Sequence, residues 1–138
     1  MFKQSLLAIL MIVLGISATA AADEKGGEAM PPGPTVVHMA KDPITVGKGH
    51  FELLTIILDF PAGAGMANHK HGGNVLVTVL NGEITLREKG GERVVKTGES
   101  WTEKPGDIHA VVNAGTETAR VVGSFLIPKG AEVTTMVK

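Results

Sequence analysis

A chain of 138 residues is too short for two ordinary domains and long enough for one domain with a single core. Its formal net charge of -1 gives no basis for binding nucleic acid or an anionic membrane surface. Cys and Tyr are both absent, which excludes disulfides, thiolate ligands, a cysteine nucleophile and a tyrosine general acid.

Residues 1–22 read as a secretory signal peptide: Lys3 opens it, Leu6 to Ile16 form an apolar run of signal length, and Ala18, Ala20 and Ala22 offer small-residue cleavage sites. Export to the periplasm or the exterior is expected, with no membrane attachment after cleavage. Residues 23–34 are charged and then rich in Gly and Pro, as in a flexible arm, and residues 35–138 form the folded domain. Thr35 to Met39 fits a first edge strand. The run FELLTIILDF, Phe51 to Phe60, is a strong strand that is apolar on both faces, so both faces are expected to be covered. Pro61 to Gly65 breaks it.

Next comes Asn68-His69-Lys70-His71. In an extended chain, residues two apart share a face, so His69 and His71 point one way and Lys70 the other. Two imidazoles on one face form a clamp for a transition metal, and His109 offers a third nitrogen. His38 and His50 read as surface or packing residues. Val75 to Leu80 is another strand apolar on both faces. Asn81-Gly82 is a hairpin signal, and Glu83 to Glu88 returns. Arg93 to Lys96 is a short strand, Ser100 to Glu103 leads to the turn Lys104-Pro105-Gly106-Asp107, Ile108 to Asn113 is a strand, and Thr118 to Ile127 is a long last strand. Close-set turns without helical periodicity predict an all-β sandwich or barrel. The outward apolar faces of three strands predict a homodimer.

With these residues in place, the chain resembles the cupin family over roughly residues 50–128. Gly65, His69, His71 and Gly82 match the family's first motif. Gly98, Gly106, His109 and Asn113 match its second. The stretch from Gly98 to Gly106, with Trp101 and Glu103 before the Pro-Gly turn, resembles a single-domain subgroup. The resemblance implies a jelly-roll β-barrel (a double-stranded β-helix) as a single domain. It also implies a divalent transition metal such as Fe, Mn, Ni or Zn, held by His69, His71 and His109. There are two departures. Lys104 stands where the family has the first Pro of its turn. Val75 stands where the family has a metal-ligating Glu, with Asn74 beside it, and no ligand is carried over to Val75.

Around these histidines, Met66, Asn74, Val75 and Trp101 are the candidate pocket residues. Glu103 is a candidate proton-transfer residue or partner of a ligand histidine, or else a solvated carboxylate before a turn. Asp107 reads as turn chemistry, and Asn113 as a residue fixing the backbone after its strand. An ion held by three neutral imidazoles beside Val75 keeps its double charge, which predicts a small anionic or oxygen-rich ligand. Two functions remain open: a metal-dependent enzyme with dioxygenase-, isomerase- or decarboxylase-like chemistry, and a non-catalytic module that holds a small molecule or a metal. No nucleophile elbow and no phosphate-binding loop before a helix occur in the sequence.

Overall fold

The computed structural model describes residues 31–138; the expected signal peptide and residues 23–30 of the arm lie outside the described residues. β1 (Thr35–Val46) and β2 (Gly49–Phe60) pair as a long antiparallel hairpin turned at Gly47, whose φ of 61° suits a residue without a Cβ. β1 runs well past Met39, where the sequence pattern ends it. Lys41-Asp42-Pro43 reads locally as a turn, yet Pro43 pairs with Glu52 in the ladder. β1 is an edge strand, the one place in a sheet where a proline's missing N–H is tolerated.

β3 (Gly65–Lys70), β4 (Asn74–Asn81), β5 (Glu83–Glu88), β6 (Gly91–Lys96), β7 (Ser100–Glu103), β8 (His109–Val112), β9 (Ala119–Pro128) and β10 (Thr135–Met136) complete the described chain, which contains no helix. The strands form two antiparallel sheets of five, in the orders β1-β2-β9-β4-β7 and β10-β3-β8-β5-β6. The all-β expectation is therefore met. Because side chains alternate across a strand, every second residue points between the sheets. Val75, Val77 and Val79 of β4, Ile84 and Leu86 of β5, and Val121, Phe125 and Ile127 of β9 are buried there. Each such aliphatic or aromatic side chain stabilises the fold by about 1.5–3 kcal/mol relative to exposure.

The outer faces differ from the expectation that both would be covered. Leu53, Leu76 and Leu80 are 43%, 49% and 45% exposed. A two-layer fold buries only the inner face of each sheet, so these apolar residues are left at the surface of a single chain.

Candidate metal centre

The histidines reach one point between the sheets from different elements. His69 on β3 lies directly opposite His109, the first residue of β8. His71 follows β3, and the burial pattern across His69, Lys70 and His71 is buried, exposed, buried. The Lys104–Asp107 turn presents β8: Asp107 N–H donates to Lys104 O at 3.1 Å, and Lys104 N–H donates to Asp107 Oδ2 at 3.3 Å. Gly106 sits in that turn at φ 82°. One imidazole nitrogen from each of the three histidines lies within 4.8 Å of the others, and all three residues are buried.

The orientation of each ring is set at Nδ1. His69 Nδ1–H donates to Ala67 O at 2.8 Å, His71 Nδ1–H to Val133 O at 2.8 Å, and His109 Nδ1–H to Asp107 O at 3.2 Å. Thr134 Oγ1 stands 3.1 Å from His71 Nδ1. A proton held at Nδ1 by a carbonyl leaves the Nε2 lone pair free, which is the tautomer a metal-binding histidine needs.

A carboxylate joins them from the other sheet. Glu103 ends β7 and is 3% exposed. Its Oε1 accepts from Trp101 Nε1–H at 2.6 Å and lies 2.9 Å from His109 Nε2; its Oε2 lies 3.1 Å from His71 Nε2. Distance alone does not make hydrogen bonds here: Glu103 Oε2 and His109 Nε2 are buried without a hydrogen-bond partner of acceptable geometry.

The electrostatics follow from burial and neighbours. Burial, with His109 and His71 alongside, pushes the His69 pKa down to about 4. For Glu103, burial acts to raise the pKa, but His109, His71 and Trp101 outweigh it and hold it down to about 2. For His109, burial acts downward, and the Glu103 carboxylate reverses it, so the pKa is raised. Glu103 is therefore an ionised carboxylate, not a solvated side chain before a turn.

This arrangement corrects the charge reasoning built on Val75. The sequence places no carboxylate at the position of the family's Glu, yet one arrives from the neighbouring strand. An ion bound here meets one negative charge and does not keep its full double charge.

The cavity beside the histidines has a volume of about 250 Å³ and is lined by Met66, Trp101, Glu103, His69 and His71 among others. Ile56, Leu58, Phe60 and Phe125 add apolar wall, and Phe125 meets His71 edge-on with ring centroids 5.3 Å apart. Of the four pocket candidates, Met66 and Trp101 line the cavity, while Asn74 and Val75 do not. Alternation along β4 turns Asn74 outward to solvent and Val75 into the core, where it is 1% exposed.

Two contributors are not visible in the local sequence pattern. Residues 131–137 cross β3 as a strap: β10 pairs with His69 and Lys70, and Val133 supplies the carbonyl that orients His71. Gly72 and Gly73 permit close packing after the histidines. A Cβ at Gly72 would strike Glu132 O of the strap, and one at Gly73 would strike Leu126 O of β9. The glycine pair directly after His71 is the one sequence signal that marked this crowding.

Two facing antiparallel sheets with a buried histidine cluster between them make a barrel of the double-stranded β-helix type. The model of the cupin domain family matches residues 56–128, more than half of the chain, and the protein belongs to the cupin family. Among solved structures, an uncharacterised conserved protein with a double-stranded β-helix domain from Klebsiella pneumoniae is similar at 21% identity and a TM-score of 0.55, over 78% of this chain and 90% of that one. A cupin 2 conserved barrel domain protein from Leptotrichia buccalis is similar at 29% identity and a TM-score of 0.50, over 65% of this chain and 41% of that one. An oxalate oxidase in complex with the substrate analogue glycolate shares the fold at 23% identity and a TM-score of 0.55, over 72% of this chain and 55% of that one. No curated protein sequence matches the chain.

Proposed function

We propose that the protein binds a divalent transition metal through His69, His71 and His109 and acts on a small molecule that carries a pair of oxygen donors on an apolar body. The observation that carries this reading is the cavity itself, in which His69 and His71 of the three-histidine cluster meet walls made of Ile56, Leu58, Phe60, Met66 and Phe125. The donor set suits Fe, Mn, Ni or Zn, and the buried, partnerless His109 Nε2 is an atom that such an ion would satisfy. A bound metal supplies a Lewis-acid or oxygen-activating centre. The chain's own groups hold the ion, exclude water along the apolar wall and keep Glu103 ionised at the polar end. No Lys or Arg lines the cavity, so among the described lining residues nothing but the metal would attract an anion. Phenols and 1,3-dicarbonyls, which ionise on chelation, fit this combination better than sugars do.

Calorimetric titration of the metal-loaded protein with acetylacetone, a catechol and glucose tests it. Acetylacetone and the catechol bind and glucose does not. Glucose binding as tightly as either would sink the reading, and turnover of a bound ligand separates an enzyme from a binding module.

Export and self-association belong to the same proposal. The apolar run after Lys3 supports cleavage between about Ala20 and Asp23, and exposed Leu53, Leu76 and Leu80 support pairing of two copies. Intact mass combined with light scattering on exported material is expected to show a chain lacking its first residues, at twice the mass of one chain. A monomer that still begins at Met1 would contradict both.

A further inference from the structure

We infer that Glu103 is the fourth protein ligand of the metal, supplied from β7 at the position directly across the ladder from Val75. This rests on the three-histidine reading and extends it to a mixed nitrogen and oxygen donor set.

The register makes the substitution physical. Val75 pairs with Glu103 and Val77 with Trp101 in the β4–β7 ladder. Directly opposed residues project to the same face, with Cβ atoms about 4.5–5.5 Å apart. Val75 and Glu103 are 1% and 3% exposed, so both point inward. A carboxylate on either strand reaches the same region between the sheets, and Val75 is too short and too apolar to compete for it.

The distances agree. Donor atoms at neighbouring corners around one ion, with bonds of ~2.1 Å at right angles, lie ~3.0 Å apart. Glu103 Oε1 is 2.9 Å from His109 Nε2, and Oε2 is 3.1 Å from His71 Nε2. These are the nitrogens left free by the Nδ1 contacts, so the carboxylate flanks two of the three histidine donors. At these separations neither carboxylate oxygen makes a hydrogen bond of good geometry with the imidazole it faces. Here Glu103 Oε2 and His109 Nε2 remain without partners in a buried setting, which is costly unless something else satisfies them. Trp101 Nε1–H, at 2.6 Å, fixes Oε1 and with it the carboxylate plane, as an outer partner does for a metal ligand.

Glu103→Gln tests the assignment, because it keeps the shape and the acceptor for Trp101 while removing the anionic donor. The measurements are Co²⁺ affinity by chelator competition and the visible spectrum of the Co²⁺-loaded protein. Wild type binds Co²⁺; Glu103→Gln binds it at least ~10-fold more weakly, with shifted d–d bands. Adding Val75→Glu to that variant returns a carboxylate from the opposite strand and recovers most of the affinity. If Glu103→Gln binds Co²⁺ as tightly as wild type with the same spectrum, Glu103 is not a ligand, while the three-histidine site stands. If wild type itself binds no Co²⁺, both readings fall. A weakened Glu103→Gln that Val75→Glu does not rescue, with an unshifted spectrum, would also overturn the ligand role. Circular dichroism of each variant confirms that the comparison is made between folded proteins.

Discussion

His69→Ala, His71→Ala and His109→Ala are each expected to lose most of their bound divalent metal while keeping the fold. Partners that merely orient a metal ligand commonly contribute 10–100-fold to affinity, so removing a ligand itself should cost more than ~10-fold. The fold survives because it rests on the apolar layer between the sheets and not on the ion. The local cost of each change includes the lost Nδ1 contact to a carbonyl, about 1 kcal/mol, and for His71 and His109 also the loss of the imidazole that faces the buried Glu103 carboxylate. Elemental analysis after dialysis against a common metal buffer reads the first effect, and thermal melting the second. Metal should raise the Tm of wild type and leave the variants unmoved, since only a binder of the folded state shifts the equilibrium. Equal metal content in all four proteins would end the metal hypothesis.

Asn113→Ala is expected to destabilise the protein strongly without touching the metal centre. Asn113 is 1% exposed, and its amide ties three segments together. Nδ2 donates to Phe60 O at the end of β2 and to Glu117 O, both at 2.7 Å, while Oδ1 accepts from Gly115 N–H at 2.9 Å. Removing it strands two carbonyls and an N–H. At roughly 1 kcal/mol or more for each, the loss is about 3 kcal/mol. For a domain of this size that lowers Tm by roughly 10–20 °C. Asn113→Asp should be no better, because a carboxylate cannot donate to two carbonyls and would face them with negative charge. Melting curves decide it. A Tm within a few degrees of wild type for either variant would show that water replaces the amide.

Phe60 is 53 residues from Asn113 in sequence. A local reading places Asn113 in the turn after its strand, and its contacts to Gly115 and Glu117 are the local ones. The same divide runs through the molecule. The His69-Lys70-His71 alternation and the Pro105-Gly106 turn depend on residues a few positions apart, and so they are legible; Asn81-Gly82 does mark a turn, but the expected hairpin is not formed, because β4 and β5 lie in different sheets and the chain crosses between the layers there. The far half of β1 is not legible, because Pro43 signals a turn until its partner strand is known. The pocket roles of Asn74 and Val75 were assigned from motif spacing, without the strand register that decides which of two adjacent side chains faces inward. Glu103 could be named as a partner of the histidines. That its carboxylate crosses from one sheet to meet imidazoles of the other is a property of the assembled sandwich, which neither β7 nor β3 carries alone.

His71 takes its orientation from Val133, 62 residues further along the chain. Such a contact closes only once the chain returns to lay β10 against β3, so the orientation of His71 depends on long-range pairing. Until β10 lies against β3, the imidazole of His71 has no fixed direction and the donor set is incomplete. With the proposed metal bound through His71, capture of the ion and docking of the strap are expected to favour each other by the same free energy. Metal added to the protein is therefore expected to slow hydrogen exchange along residues 131–137, where Ala131 and Val133 pack against the core.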